Sequence, residues 1–338
     1  MRYPAPLQPG DVIGVTSPSA GVADDMRPRL DFCVEDLRRR GFEVEVGRCM
    51  DGTGPTSAPA AERAAELMGM LTDARIRAVV PPWGGELAID LLPLLDFDAI
   101  GRSAPTWVVG YSDISTLLLP ITLVTGTATL HGPALMDTPF VVPDPLRHWL
   151  DLASAPPGAT VAQGAARWAQ ESWPDFRTQP DATEQRLTVP ARWRTLGDAV
   201  GTLRGRLIGG CLETISMLPG TPFGDVAGFA DRHAPEGLLV YLEVAEVDAF
   251  TAARMLHHLR LAGWFDRANG VLVGRTSAPG SPGFSQLDAL RDALGPLDVP
   301  VLYDLDFGHV PPQLALVNGA LAEVTLEDDA GTLVQHLI

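Results

Sequence analysis

A repeated alternation of strand-like and helix-like segments in residues 1–136 constrains the fold more than any other feature. Short apolar runs indicate buried strands, and apolar residues at helical spacing follow each run. The strand-like runs are "DVIGVTS", "FEVEVG", "IRAVVPP" and "TWVVGYS", and helices are expected near residues 25–40, 60–72, 86–95 and 113–124. Strands and helices that alternate in this way form a parallel sheet with helices on both faces. Residues 1–136 are therefore predicted to form an α/β domain.

The pattern changes twice in the rest of the chain. Residues 137–196 are rich in proline, contain Trp149, Trp168, Trp173 and Trp193, and are predicted to be a long connection that could act as a lid. From residue 197 strands return, with helices expected near residues 211–218, 249–262 and 285–294. The strand-like runs are "GLLVYLE", "GVLVGR", "VPVLYDL", "LALVN" and "LAEVTLE". The last ones are short and closely spaced, which predicts an α+β domain with an antiparallel component over residues 197–338.

The charged residues argue against several classes of protein. All 25 basic residues are arginine, which excludes a Schiff-base lysine, a Ser-Lys dyad and the lysine of a phosphate-binding P-loop. The formal net charge of −17 argues against nucleic acid or an anionic membrane as a partner, since both need a basic surface.

The cysteines and the opening residues narrow the class further. Three cysteines lie far apart without CxxC spacing, so we expect neither disulfides nor a structural metal, and no cofactor is indicated. The chain opens directly into a strand-like run, and no apolar run approaches the roughly 20 residues of a membrane helix. We therefore expect a soluble, cytoplasmic protein.

Polar or glycine-rich residues follow several of the expected strands. In open α/β sheets, ligands bind beyond the carboxyl ends of the strands. The segments at these positions are "SPSAG", "PPWGGE", "GYSD", Glu243 at the end of "GLLVYLE", and "DLDFGH" after "VPVLY". Each is a weak signal by itself.

Ser112 in "GYSD" has two interpretations. Serine before a helix commonly caps it, because its hydroxyl accepts a hydrogen bond from a free helix amide. Alternatively, a sharp strand-to-helix turn can expose the hydroxyl as a nucleophile, with the next backbone amide stabilising an oxyanion. The usual GxSxG pattern is absent, since Ile114 stands two residues after Ser112. Local sequence alone favours the cap.

Four other residues are candidates for chemistry. Glu243 ends a strand that should be buried on both faces, so its carboxylate must be paired, exposed at the strand end or functional. His309 lies in the irregular segment "FGHVPPQ", where a lone histidine is usually surface. Cys211 in "RLIGGCLET" is a rival nucleophile, although a small buried residue at a helix start is the favoured interpretation. His131 in "TLHGPAL" could line the cleft or cap a turn.

Several motifs in one order resemble the LD-carboxypeptidase family of serine peptidases. They are "GDVIGVTSPSAG", "GGELAIDLLPLLDFDAI", "VVGYSDIST", "TLHGPAL", "GRLIGGCLETISMLPGTPF", "YLEVAEVDAF", "GVLVGR" and "VPVLYDLDFGH". The resemblance implies a flavodoxin-like or glutamine-amidotransferase-like parallel-sheet domain, then a swivelling β/β/α domain, usually in a homodimer. It also implies that Ser112 is the nucleophile and that His309 and Glu243 complete a triad.

The tryptophan-bearing segment "RWAQESWPDF" resembles the branch of microcin C self-immunity peptidases. That branch implies hydrolysis of an amide bond in an aminoacyl-nucleotide conjugate, whereas the alternative branch removes terminal D-alanine from murein tetrapeptides. Trp168 and Trp173 would then stack on a base or aromatic group of the substrate, or pack between domains.

The "PPWGGE" segment and the turn of Ser112 supply the remaining expected site residues. Backbone amides of Gly85 and Asp113 would hold the oxyanion, because glycine lets the main chain approach closely. Trp83 and Gly84 would wall the cleft.

Two classes other than a peptidase remain open at this point. A nicotinamide dehydrogenase fits the alternating first half, but no GxGxxG follows a strand there. A non-catalytic protein that binds a small peptide or a nucleotide would keep the cleft without needing Ser112, Glu243 and His309 to meet.

Overall fold

A computed structural model of the chain describes residues 1–170, 173–198, 201–327 and 330–338. Glu171 and Ser172 of the "RWAQESWPDF" motif lie outside the described residues. Two large sheets and one two-stranded ribbon organise the described ranges. No helix in these ranges has both the length and the apolar content needed to cross a bilayer.

The first sheet has six strands, five of them from residues 1–136. These five are the four predicted strands, β1 (Val12–Val15), β2 (Glu43–Val46), β3 (Ile76–Val79) and β4 (Trp107–Gly110), and one further strand, β5 (Thr129–His131). They pair in parallel in the order β2-β1-β3-β4-β5. This is the strand order of flavodoxin-like folds, which bind ligands where the order reverses and at the carboxyl ends of the strands.

Helices cover both faces of this sheet. They are α1 (Arg27–Arg39), α2 (Ala60–Thr72), α3 (Phe97–Arg102) and α4 (Ser115–Thr125). Val108 packs in the core formed by α2 and α4, whereas Trp107 and Val109 pack in the core formed by α1, because successive strand residues point to opposite faces. The helix expected near residues 86–95 is a 3₁₀ helix, Ala88–Leu94, and contains Pro93, which has no amide hydrogen to donate.

Residues 137–196 differ from the expected long connection. They contain α5 (Trp149–Ala153), β6 (Thr160–Gly164), β7 (Trp168–Gln170), β8 (Leu187–Pro190) and β9 (Arg194–Thr195). Strands β6 and β9 form opposite edges of the second sheet, and β7 pairs with β8 in the ribbon. Strands of two to five residues are too short to show a period in sequence, which is why the pattern looked irregular.

The second sheet is built mainly from residues 201–338. Its further strands are β10 (Leu203–Cys211), β11 (Leu238–Glu243), β12 (Ala268–Gly274), β13 (Val301–Leu305), β15 (Leu321–Glu327) and β16 (Ala330–His336), while β14 (Leu316–Asn318) belongs to the first sheet. The order is β6-β16-β15-β10-β11-β12-β13-β9. Strands β10 to β13 are parallel, and β15 and β16 supply the antiparallel component that the sequence predicts.

Helices α6 (Leu212–Ile215), α7 (Val226–His233), α8 (Ala249–Leu261) and α9 (Gln286–Leu294) accompany these strands. They pack with α2 and α4 of the first domain in one continuous core. The opposite face of the second sheet, with Tyr241, Leu272 and Leu302, forms a separate core with Trp193 and Phe307. The expected fold class, an α/β chain with an N-terminal parallel-sheet domain and a separate C-terminal domain of mixed strands and helices, is confirmed.

The two sheets are joined closely at the carboxyl end of the first. Strand β14 crosses from the second half of the chain and pairs antiparallel with β5, so that Leu316 lies opposite His131. The backbone amide of Cys211 donates to Oγ of Ser115 at 3.1 Å. Residues near the end of β10 therefore contact the beginning of α4, next to the turn that carries Ser112.

Candidate active site

The turn between β4 and α4 holds Ser112 in an unusual backbone conformation. Its φ angle is 59°, in the left-handed region that costs a residue with a side chain about 1–3 kcal/mol. A 3₁₀ helix, Ser112–Ile114, precedes α4, and neither helix start has a side-chain cap. The capping interpretation of Ser112 is therefore wrong. The turn instead has the strained strand-to-helix geometry of a nucleophile elbow.

The carboxylate of Asp113 holds the surrounding loops together. It accepts hydrogen bonds from Oγ of Ser19 at 2.5 Å and from the amide of Ala88 at 2.8 Å, and Oγ1 of Thr116 donates to it at 3.3 Å. Ser19 follows β1 and Ala88 follows β3, so this buried side chain ties both loops to the start of α4. The Asp113 side chain is structural, and only its backbone amide is available as an oxyanion donor.

Gly84 and Gly85 permit close approach of two loops to this turn. A Cβ on Gly84 would lie 2.9 Å from Cβ of Ser112 and 3.0 Å from the Asp113 amide nitrogen, so any side chain there would force the turn to shift. Gly85 has a φ of 148°, and a Cβ there would lie 2.3 Å from Oγ of Ser19. Gly84, expected to wall the cleft, therefore lies against the Ser112 turn.

Glu243 and His309 are in direct contact. Nδ1 of His309 lies 2.7 Å from Oε2 of Glu243, whose side chain is fully buried at the end of β11. The His309 side chain remains 25% exposed, so the ring can still be reached from the cleft. The contact that the sequence predicts between these two residues is present.

The two side chains shift one another's ionisation. Burial raises the pKa of Glu243, but the facing His309 and the nearby His131 more than offset this, and its pKa lies below the usual range. Burial lowers the pKa of His309, and the Glu243 carboxylate outweighs that effect, so the pKa of His309 is raised. The pair therefore favours a charged imidazole more than a free histidine does.

Tyr111 links the Ser112 turn to His309. The rings of Tyr111 and His309 meet edge to face, with centroids 4.9 Å apart. Because Tyr111 directly precedes Ser112, this contact brings the "GYSD" turn beside the imidazole. No hydrogen bond joins Oγ of Ser112 to His309 among the described residues, and such bonds in active sites often tighten only when substrate binds.

Cys211, the rival nucleophile, lies beside Glu243 and away from solvent. It stands level with Glu243 in the paired strands β10 and β11 and is buried. Its thiol donates to Oε2 of Glu213 at 3.3 Å. Burial, followed by the charges of Glu243 and Glu213, raises the pKa of Cys211 well above its usual value. The thiol is therefore poorly suited to act as a thiolate nucleophile.

A cavity of about 430 Å³ adjoins the Ser112 turn. Trp83, Tyr111, Asp137 and Trp173 contribute to its wall. Nε1 of Trp83 donates to the carbonyl of Gly21 at 3.0 Å, which fixes the orientation of the indole. The volume lies within the roughly 300–1,000 Å³ of small-molecule sites. The expected positions of Trp83 and Trp173 beside the cleft agree with this cavity.

Trp168 does not reach this cavity. It lies on β7, with 51% of its surface exposed, at a larger groove of about 820 Å³ lined also by Pro145, Arg147 and Gly331. Ser112, Glu243 and His309 line neither this groove nor the smaller cavity, but Tyr111, the direct neighbour of Ser112, lines the smaller one. We place the candidate site in the smaller cavity because it shares Tyr111 with the serine turn. The structure thus separates the two tryptophans that the sequence had grouped.

Two residues of the site were missed from sequence. The hydroxyl of Tyr111 donates to Oδ2 of Asp137 at 3.1 Å, and both line the cavity. Tyr111 stands inside the "GYSD" motif and could have been named. Asp137 carries no local signal, because its place beside Tyr111 depends on how the chain after β5 folds back over the sheet.

Comparison with known proteins agrees with this architecture. Sequence profiles described as the LD-carboxypeptidase N-terminal domain and the LD-carboxypeptidase C-terminal domain match residues 13–132 and 204–324. The microcin C7 self-immunity protein MccF of Escherichia coli is 28% identical, over 96% of this chain and 93% of that protein. A Bacillus subtilis protein named "Probable murein peptide carboxypeptidase" is 26% identical, over 98% of this chain and 94% of that protein.

Solved structures share the fold. The structure of MccF with aspartyl sulfamoyl adenosine superimposes with a TM-score of 0.82 at 24% identity, over 99% of each chain. An MccF-like protein from Bacillus anthracis gives a TM-score of 0.79 at 21% identity, again over 99% of each chain. The two profiles together span most of the sequence, in the order expected from its motifs. The chain belongs to the LD-carboxypeptidase family and is a peptidase.

Proposed function

We propose that this protein is a serine peptidase in which Ser112, His309 and Glu243 hydrolyse the amide-type bond of an aminoacyl-nucleotide conjugate. The observation that carries the substrate class is the cavity beside Ser112, which has two tryptophans, Trp83 and Trp173, in its wall. Flat indole rings stack on a nucleobase, and such a stack contributes about 1–3 kcal/mol.

His309 acts as the general base in this proposal. Its Nδ1–H donates to Glu243, which leaves Nε2 as the acceptor for the Ser112 hydroxyl proton. Oγ of Ser112 attacks the acyl carbon, and the proton passes to Nε2. The resulting imidazolium then protonates the leaving nitrogen, so the acyl group stays on Ser112 as an ester. A water, deprotonated by the same imidazole, releases the acid and restores the serine.

The oxyanion formed at the acyl carbon lies against the backbone amides of Asp113 and Gly85. The amide of Asp113 follows directly after the strained Ser112, and the Gly84–Gly85 strip crosses within van der Waals contact of it. Hydrogen bonds from amides held in place before the reaction stabilise the transition state more than the ground state.

Ligands bound in solved relatives support this substrate class. One solved relative is MccF in complex with aspartyl sulfamoyl adenosine, and another is in complex with glutamyl sulfamoyl guanosine. Those ligands pair an aminoacyl group with a nucleoside, whose base could stack on the tryptophans of the cavity wall. A murein tetrapeptide ending in D-alanine has no aromatic group for the tryptophans to stack on.

A direct comparison of substrates tests the proposal. The purified chain is incubated with aspartyl sulfamoyl adenosine and, separately, with a murein tetrapeptide ending in D-alanine, and products are followed by mass spectrometry. Release of aspartate from the first compound, abolished in Ser112→Ala, supports the proposal. Release of D-alanine alone would instead assign the protein to murein trimming, and no release from either would refute both assignments.

We also infer a homodimer from the family resemblance. Sedimentation velocity of the purified chain tests this inference, with a species of twice the 36.0 kDa chain mass as the expected result. A species of single chain mass over the whole concentration range would contradict it.

A further inference from the structure

Arg29 of α1 is a fully buried arginine with unusual partners. Among the residues that the structure describes, no carboxylate forms an ion pair with it. Its guanidinium makes four hydrogen bonds, all to backbone carbonyls: Nε and Nη2 donate to Met136 at 2.9 and 2.6 Å, and Nη1 donates to Pro180 at 3.0 Å and Ala182 at 2.7 Å. Burying a guanidinium is costly unless its donors are satisfied, so these bonds account for its stability in the interior.

The same guanidinium stacks between aromatic rings. It lies 4.3 Å from the ring centroid of Phe176 and 5.1 Å from that of Phe140. Phe140 in turn contacts Trp173, with ring centroids 6.2 Å apart. Phe176 and Trp173 both line the cavity beside Ser112. Arg29 therefore contacts residues that line the cavity without lining it itself.

The other attachments of the wall segment include a backbone hydrogen bond from the amide of Val141 to the carbonyl of Thr183 at 2.8 Å. Residues 173–186 form neither helix nor strand, so their position depends on side-chain and loop contacts. The ion pair of Arg177 with Asp25, 2.6 Å long, lies at the surface, with 61% and 52% of the two side chains exposed. Exposed ion pairs contribute little to stability. The buried Arg29 guanidinium donates to the carbonyls of Pro180, Ala182 and Met136. It is therefore a stronger attachment than this exposed ion pair.

We propose that Arg29 is a positioning residue for substrate selection: it fixes the segment 173–183 to α1 and to Met136, and so sets the place of Trp173 in the cavity. The role rests on the proposed function, since Trp173 matters to selection only if an aromatic group binds there. Arg29 touches no reacting atom. Its loss should weaken binding of the nucleoside part and leave activation of Ser112 intact.

The test uses the full chain and two independent readouts. The first is KM for aspartyl sulfamoyl adenosine, and the second is the rate at which a small alkyl fluorophosphonate labels Ser112. Arg29→Met removes every donor, and KM should rise roughly tenfold or more, as expected for loss of a base stack, with labelling unchanged. Arg29→Lys keeps a cation that can donate to carbonyls, so its KM should lie between those of Arg29→Met and the unmodified chain. If Arg29→Met does not fold, the KM of Arg29→Lys is compared with that of the unmodified chain instead.

A matched control is Arg206→Met. Arg206 is also largely buried and donates to the carbonyl of Gly319, and it is paired with Glu236. It does not line the cavity. Its loss should change neither KM nor labelling. If Arg29→Met slows labelling of Ser112 as well as raising KM, Arg29 supports the whole domain and the proposal fails. Unchanged KM in both Arg29 variants would also overturn it.

Hydrogen–deuterium exchange separates this inference from the proposed function. Amides of residues 173–183 should exchange faster in Arg29→Met than in the unmodified chain or in Arg206→Met. That result can be read even if aspartyl sulfamoyl adenosine is not a substrate. Unchanged exchange in this segment would show that Arg29 does not hold the wall, whatever the enzyme hydrolyses.

Discussion

Nδ1 of His309 lies 2.7 Å from Oε2 of Glu243, although 66 residues separate them in sequence. Two glycines make this contact possible. A Cβ on Gly308 would lie 2.7 Å from Cβ of Glu243, and a Cβ on Gly274 would lie 3.0 Å from the same atom. The backbone therefore passes directly over the carboxylate, and the imidazole is held with Nε2 directed away from Glu243. A histidine oriented in this way can accept a proton only at Nε2.

Replacement of Ser112 by alanine should abolish hydrolysis. Loss of a serine nucleophile lowers kcat by ~10⁴-fold or more, and labelling by a fluorophosphonate should disappear as well. The matched variant is Cys211→Ala, which should retain most of the activity because the thiol is buried and protonated. Activity that survives in Ser112→Ala and vanishes in Cys211→Ala would reverse the assignment.

The rate at which a fluorophosphonate labels Ser112 should fall at low pH, because His309 becomes protonated. His309 must be neutral to act as a base, and Glu243 raises its pKa above the ordinary value of about 6.5. In Glu243→Gln the raising effect is lost while burial still lowers the pKa of His309. The acid limb of the labelling rate should therefore move to lower pH, and the rate itself should fall by roughly 10³–10⁴-fold. An acid limb at the same pH in both proteins would show that Glu243 does not control His309.

Gly84→Ala should reduce catalysis without unfolding the protein. The new Cβ would meet Cβ of Ser112 at 2.9 Å and the Asp113 amide nitrogen at 3.0 Å, so the turn must shift. Small displacements of reacting groups cost about 10²-fold in rate, and we expect kcat to fall by about that factor. The control is Gly69→Ala in α2, where nothing lies within 4 Å of the new Cβ. That change should leave kcat unchanged and stabilise the fold by about 0.5–1 kcal/mol.

Trp173→Ala should weaken processing of aspartyl sulfamoyl adenosine by roughly 10 to 200-fold, as loss of one base stack implies. Trp168→Ala is the matched control, since Trp168 lines the separate groove and should leave this reaction nearly unchanged. Neither variant should alter fluorophosphonate labelling of Ser112. Equal losses for both tryptophans, on labelling and on hydrolysis, would indicate general packing instead.

Asp137→Asn should stabilise the protein at neutral pH. Burial raises the pKa of Asp137 to about 6, although Tyr111 and Arg29 act in the opposite direction. A carboxyl with a raised folded pKa gives stability that is fully present below the unfolded pKa of about 3.9 and is lost as pH rises through the folded value. Asparagine cannot lose a proton, so the gain in Tm over the unmodified chain should grow between pH 4 and pH 7. The exposed Asp31→Asn serves as control, and a gain that does not depend on pH would contradict the assignment.

Much of the architecture follows from local patterns. The helix expected at residues 60–72 is α2, Ala60–Thr72, and the one expected at 249–262 is α8, Ala249–Leu261. Strands β1 to β4 lie within the predicted runs. Periodicity, capping and proline act over a few residues, which is why they can be read from the sequence. Ser112, Glu243 and His309 could be named as candidates in the same way, because they stand at strand ends and in short motifs.

Contacts across the two sheets could not be read in that way. Ser112 and Cys211 follow similar strand–glycine segments, yet only packing buries Cys211 beside Glu243 and leaves Ser112 partly exposed. Trp168 and Trp173 are five residues apart, but the β7–β8 ribbon sends Trp168 to a different groove. Strand β14 pairs with β5 although 185 residues separate Leu316 from His131.

Sequence by itself determined the fold class, the order of strands and helices along the chain, and the candidate catalytic types, because each depends on the nearest neighbours in the chain. Tertiary structure decided which of those candidates meet, where Asp137 and Arg29 lie relative to the cavity, and which tryptophan lines it. These outcomes depend on strand order and on side-chain packing between distant segments, where the favourable contacts must outweigh the entropy of closing long loops. No local pattern encodes that balance.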